Sequence, residues 1–276
     1  MKHTIIALIG CGNMGTSLVG GLIANGHDPD SIHGADPDPL QRDKLYKQYK
    51  TKVFDNNTEA IDGADAVILA VKPQMFAATL SDIADSIKSN NSIVISIAAG
   101  VRLATIEKHL DKDHPIIRVM PNTPAIIRSG ISALFANNAT TPKQREIAEG
   151  IMRSVGSLIW LEDESLMDTV TALSGSGPAY IYLIMEVLEQ AAVSLGLPVD
   201  QARLLTLETV FGAAKLALES GVDAASLRRQ VTSPGGTTEQ ALDVLMQQGK
   251  IDQLFLNALT AAKRRSEELA ELQEKI

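Results

Sequence analysis

One cysteine, Cys11, in 276 residues leaves nothing for a disulfide framework or a multi-cysteine zinc site. Aromatic residues make up 4% of the chain, too few for a core built on aromatic stacking or for a row of base-stacking platforms. Histidine stops early: the five are His3, His27, His33, His109 and His114. His109 and His114 are five apart, off the i, i+4 spacing that puts two ligands on one helical face, so no metal is expected. Positive charge is also short. With 25 Lys and Arg against 33 Asp and Glu, the net charge of −8 repels phosphate backbones and excludes nonspecific nucleic-acid binding. No long apolar run is present. Ile5 to Ile9 is too short for a signal-peptide core, and the uncharged stretch between Asp168 and Glu186 is broken by Ser174-Gly175-Ser176-Gly177-Pro178, far short of a membrane span. What remains, 45% hydrophobic and 21% charged, is the composition of a globular protein, expected to be soluble and cytoplasmic.

The first part of the chain alternates short apolar runs with helix-period segments. Ile5–Ile9, Ser31–Ala35, Ala66–Val71, Ser92–Ile97, Ile116–Met120 and Ile131–Ala136 read as strands, several of them without an interrupting polar residue, as when both faces are buried. Asn13–Asn25, Pro37–Gln48, Gln74–Lys88 and Leu103–Leu110 read as helices between them, with Asp36 or Asp38 opening the second and Gly26 as a left-handed cap on the first. This alternation predicts an α/β fold with a doubly wound parallel sheet. From about Leu161 strand signals vanish. Ala179–Leu195, Val199–Glu219, Ala224–Gln230, Thr238–Gln248 and Ile251–Glu274 read as helices, so the expected division is residues 1–163 and an all-helical domain of residues 164–276. The helix from Ala179 is apolar all round and must be buried on every face. A subunit interface or the centre of a monomeric bundle would each do this.

The strongest local pattern is Gly10-Cys11-Gly12-Asn13-Met14-Gly15, between a strand and a helix. The first glycine makes the turn, the second admits a diphosphate to the backbone, and the third lets helix and strand pack closely. Cys11 inside it is read as a space-filler, with no activating base nearby in sequence. Asp36 follows Gly15 by 21 residues, at the end of the second strand, where an acidic residue bonds the ribose hydroxyls of NAD or else merely caps the next helix. Lys72-Pro73, Ala98-Ala99-Gly100 and Met120-Pro121-Asn122-Thr123-Pro124 each follow a buried strand. In an open α/β sheet these strand ends form the binding crevice. In the second domain, Ser233-Pro234-Gly235-Gly236-Thr237-Thr238 precedes a helix. Its glycines and hydroxyls make a cradle for an anion such as a carboxylate.

Taken together these stretches resemble the pyrroline-5-carboxylate reductase family. The resemblance rests on Gly10 to Gly15, Ala70-Val71-Lys72-Pro73-Gln74, Ser96 to Val101, Arg118 to Ala125, Ala172 to Tyr180 and Val231 to Thr238, which run in the family's order through both domains. It implies a Rossmann domain, a helical domain that forms a dimer and in some members a ring of dimers, and NAD(P)H-dependent reduction of a cyclic imine to L-proline. The cofactor residues expected are Ile9, Gly10, Gly12, Asn13, Met14, Gly15, Asn57, Val71, Lys72, Pro73, Ala98, Ala99 and Gly100, with Asp36 added by its place at the end of the second strand. The implied substrate residues are Met120, Asn122, Ser233, Gly235, Gly236, Thr237 and Thr238, with Thr238 bonding the ring nitrogen as the catalytic residue. NADP(H) is favoured by the family. Asp36 departs from the hydroxyl or small residue common there and points to NAD(H). Two rivals stand beside this reading. A β-hydroxyacid dehydrogenase would need a lysine on the helix from Ala179 to Leu195, which has none, and a non-catalytic NADP-binding sensor would not need Ser233 to Thr238.

Overall fold

The computed structural model describes residues 4–274. In chain order the elements are β1 (Ile6–Ile9), α1 (Asn13–Ala24), β2 (Ile32–Ala35), α2 (Pro39–Tyr49), β3 (Lys52–Phe54), α3 (Asn57–Ile61), β4 (Ala66–Leu69), α4 (Pro73–Asn90), β5 (Ile93–Ser96), α5 (Leu103–Leu110), β6 (Ile116–Met120), β7 (Gly130–Ala136), α6 (Pro142–Arg153) and β8 (Gly156–Trp160). Helices follow: α7 (Leu166–Val170), α8 (Gly177–Ser194), α9 (Val199–Ser220), α10 (Ala224–Gln230), α11 (Thr237–Met246) and α12 (Lys250–Glu274).

The strands form one sheet in the order β3-β2-β1-β4-β5-β6-β7-β8. The uninterrupted apolar runs have a direct structural cause. Along β1, Ile6 and Leu8 enter one hydrophobic cluster while Ala7 and Ile9 enter the other, and β4 splits Ala66 and Ile68 from Val67 and Leu69 in the same way. Helices cover both faces, so successive residues are all removed from water, each large side chain contributing about 1.5–3 kcal/mol.

One strand departs from the expected parallel sheet: β7 runs antiparallel to β6, pairing Ile117 with Ala136 and Met120 with Ala133. Residues 121–129 are too few for a crossover, which takes a dozen or more. They hold instead a short 3-10 turn, Thr123–Ile127, that reverses the chain. The helix α6 then gives a crossover long enough to make β8 parallel to β7. The helix expected to start at Pro37 starts at Pro39, and Asp38 is its cap, accepting the Leu40 N–H at 2.9 Å.

The chain divides into two compact units, one running up to Ser176 and resumed from Ala262, the other Gly177–Ala261. In the first, the end of α12 is tied down by a buried hydrogen bond from Ser266 Oγ to Asp168 Oδ1 at 2.6 Å and an ion pair between Arg102 and Glu274 at 2.9 Å. The second holds α8 to α11 and the start of α12. It has almost no interior of its own: α8 contains no buried residue, and Tyr182, Leu183 and Val187 are more than half exposed. The apolar surround of α8 is therefore not covered within one chain, which removes the monomeric-bundle alternative. No helix of the described residues is long and apolar enough to cross a membrane.

Candidate active site

The glycine loop forms where β1 ends and α1 begins. Gly10 has φ +99°, and a Cβ there would lie 2.8 Å from the Ala70 carbonyl oxygen. At Gly15 a Cβ would lie 2.5 Å from the Gly10 carbonyl oxygen and 3.1 Å from Leu8, so both positions exclude a side chain from within the protein. Gly12 is different. Nothing lies within 4 Å of a Cβ built on it, and it is the residue before the first turn of α1, where no side chain caps the helix. The open approach and the uncapped N–H groups of that turn fit a diphosphate, which the helix dipole would also favour. A dinucleotide is therefore matched by the geometry of Gly12 and α1, and its reduced nicotinamide would supply a hydride. Cys11 is fully buried among Leu and Ile side chains, and burial, then the Asp36 charge, push its thiol up to about 12. It fills space and is no nucleophile at neutral pH.

Asp36 does not cap α2. Its Oδ2 accepts the Cys11 N–H at 2.8 Å and its Oδ1 accepts the Asp38 N–H at 2.9 Å, so the carboxylate faces the glycine loop. Arg42, missed by the sequence reading as a partner, reaches back from α2 to donate to the Asp36 carbonyl at 2.6 Å and the Pro37 carbonyl at 3.0 Å. A guanidinium seven residues after a strand end gives no pattern to find it by.

The strand ends converge as the sheet topology requires. Met14, Val71, Met120 and Asn122 line one cavity of about 250 Å³ together with Ala70, Ile97, Pro121, Thr123 and Gly175. Ala70, Ile97 and Gly175 lie in stretches that carry the resemblance but are not among the site residues it implies. Gly175 belongs to a π-helical turn, Thr171–Gly175, and a Cβ on it would lie 2.4 Å from Met120 Cε. The methionine therefore packs directly on that turn. Lys72 is the residue before α4 and is exposed, with Pro73 at the first position of the helix. Asn57 opens α3, whose cap is Asn56. Ala98 and Gly100 are buried and Ala99 exposed, and Gly100 packs against Leu269 and Ala270 of α12. Asn122 Oδ1 accepts the Ile131 N–H at 3.0 Å, which holds its side chain in the turn. Among the described residues no group of three or more His, Cys, Asp or Glu could hold a metal ion.

In the second unit, Ser233 to Thr238 form a tight turn into α11. Gly235 has φ +72° and its N–H goes to Glu239 Oε2 at 2.7 Å, while the Gly236 N–H goes to the Ser233 carbonyl at 3.0 Å. Both glycine donors are thus engaged inside the turn, and the N–H groups of Thr237 and Thr238 are left pointing out of the first turn of α11. Gly236, not a hydroxyl residue, is the cap, and no side chain caps the helix. The half-buried Thr238 hydroxyl is not spent on capping.

Comparison with known proteins agrees with this geometry. Residues 164–269 match the family model for pyrroline-5-carboxylate reductase dimerisation, and residues 5–100 match that for coenzyme F420-dependent NADP oxidoreductases. The chain is 45% identical to the pyrroline-5-carboxylate reductase of Pseudomonas aeruginosa over 98% of each chain, and 37% identical to that of Escherichia coli over 96% of this chain and 98% of the other. The solved reductase of Coxiella burnetii superimposes with a TM-score of 0.93 at 45% identity, covering 97% of this chain and 99% of that one. The Plasmodium falciparum enzyme, solved with NADP bound, gives 0.86 at 28% identity, covering 98% and 99%. With its nucleotide loop, its strand-end crevice and a near full-length match to these enzymes, the chain belongs to the pyrroline-5-carboxylate reductase family.

Proposed function

We propose that this protein reduces L-1-pyrroline-5-carboxylate to L-proline with NAD(P)H, the last step of proline biosynthesis. The observation that carries the reading is the turn into α11, where the Thr238 hydroxyl and the N–H groups of Thr237 and Thr238 are not consumed by the protein's own hydrogen bonds, on a chain that matches the reductases end to end. A cyclic imine is electrophilic once its nitrogen is protonated, so the protein need only bind, orient and favour the iminium. Thr238 bonds the ring nitrogen, and the Thr237 and Thr238 amides take the carboxylate, with Ser233, Gly235 and Gly236 shaping the turn. Met120 and Asn122 bound the substrate from the strand-end side. Ile9, Gly10, Gly12, Asn13, Met14, Gly15, Asn57, Val71, Lys72, Pro73, Ala98, Ala99 and Gly100 hold the dinucleotide. No histidine is required.

The preferred cofactor is NADPH. Asp36 is turned onto the glycine loop, and Arg42 places a positive charge at the end of β2 where a ribose phosphate would sit. The NADP-bound Plasmodium falciparum relative supports the same choice. Two copies pair through the apolar surface of the helical unit, with a ring of such dimers as the larger assembly, in the cytoplasm. The division of labour follows the sequence: residues 1–163 hold the dinucleotide, and residues 164–276 serve substrate binding and pairing. Loss of reduced-nicotinamide absorbance with pyrroline-5-carboxylate, NADPH and NADH side by side, tests the activity and the preference together.

A further inference from the structure

Arg118 is a buried charge on the strand that leads into the strand-end crevice. It lies on β6 two residues before Met120, is 8% exposed, and sits in register beside Ser96 at the end of β5. An uncompensated guanidinium at such a place is strongly unfavourable. Its partner is Glu164, 46 residues away in sequence, which pairs with it through Oε1. The same oxygen accepts the Leu103 N–H at 2.8 Å. Leu103 is the first residue of α5, a helix whose own cap residue, Arg102, offers no side-chain acceptor. One carboxylate therefore neutralises the strand that leads into Met120 and Asn122 and also supplies the missing acceptor of the helix that follows Ala98 to Gly100. A negative group is favoured there by the helix dipole as well.

We propose that Glu164 is a positioning residue for the reduction. It fixes the spacing between the loop after β5 and the loop after β6, and so the distance between the nicotinamide side and the substrate side of the crevice. The inference rests on the reductase reading above. Reaction rates in a pre-oriented pair fall steeply with small displacements, so a loosened spacing lowers turnover more than binding.

The test uses full-length enzyme with Glu164→Asp and Glu164→Gln. Aspartate keeps the charge but is one methylene too short to serve Arg118 and Leu103 together. Glutamine keeps the length and the acceptor. The expected result at 20 °C is a tenfold or greater fall in kcat for Glu164→Asp, with the NADPH dissociation constant within twofold of wild type. Glu164→Gln should recover kcat to within about threefold, although both variants melt earlier. A loss of kcat in Glu164→Gln beside wild-type kcat in Glu164→Asp overturns the proposal in favour of charge alone. Wild-type kcat in Glu164→Asp, with only its melting temperature lowered, overturns it in favour of a structural role. Wild-type enzyme that makes no proline would instead refute the parent reading, so the two failures are told apart.

Discussion

The Asp36 carboxylate accepts the backbone N–H of Cys11 at 2.8 Å, a side-chain tie between the end of β2 and the glycine loop that adds to the Gly10 N–H bond to the Ala35 carbonyl at 2.8 Å. That bond ties Asp36 to the glycine loop, while the capping of α2 falls to Asp38. If this carboxylate still reads the ribose from the glycine loop, replacing Asp36 by serine removes a negative charge there. A partly exposed charge pair is worth up to about 1 kcal/mol, so the NADPH/NADH ratio of kcat/KM should rise roughly fivefold in Asp36→Ser. An unchanged ratio would show that this carboxylate does not read the ribose.

The glycine loop separates two kinds of glycine. Gly15→Ala drives a Cβ to 2.5 Å from the Gly10 carbonyl oxygen and should cost about 1–3 kcal/mol of stability as overpacking. Gly12→Ala meets nothing in the protein and has φ −67°, a conformation alanine accepts, so its melting temperature should match wild type. Its methyl would stand where a diphosphate approaches. The expected result is a cofactor KM at least about tenfold higher, or 1.4 kcal/mol, without loss of fold. Thermal melts and cofactor titration of both variants check the contrast.

Thr238 gives a sharper distinction. Gly236 caps α11, so the threonine hydroxyl is not a cap and Thr238→Ala should leave the melting temperature nearly unchanged. A hydrogen bond to a charged ring nitrogen is worth roughly 1.5–3 kcal/mol, which predicts a loss of about 10- to 150-fold in kcat/KM, visible in kcat as well. Normal turnover in this variant would remove Thr238 from the chemistry.

Two histidines set a pH limit on stability. Burial lowers the pKa of His33 and of His114, against a backbone hydrogen bond to Ala60 in the first and to Ser92 in the second. The folded state therefore prefers the neutral ring, while the unfolded chain binds protons at about pH 6.5. Stability is full above that value and falls as pH drops below it, by at most about 1.4 kcal/mol per pH unit per histidine. Urea unfolding between pH 5 and pH 8 should show this decline. A flat profile would contradict the neutral burial of both rings.

Much of this architecture was legible because buried parallel strands write themselves as apolar runs, and Leu103–Leu110, Ile116–Met120 and Ala224–Gln230 have the boundaries the pattern indicated. The strand β3 was not legible, being three residues at the sheet edge with Lys52 exposed. The helix α6 carried a signal that went unread: Thr141 and Gln144 form a reciprocal cap around Pro142. The direction of β7 lay in the length of its connection, not in its residues. In the site, the glycine loop and the Ser233 to Thr238 turn were visible as motifs, because backbone geometry demands those residue types. Which of Asp36 and Asp38 caps α2, and the pairing of Arg118 with Glu164, depend on contacts between distant or interchangeable residues and leave no local pattern.

The account stands most directly on product formation. Purified protein incubated with L-1-pyrroline-5-carboxylate and NADPH should consume reduced cofactor and form L-proline in a 1:1 ratio, with NADH serving less well. Folded protein that forms no proline with either cofactor would contradict it.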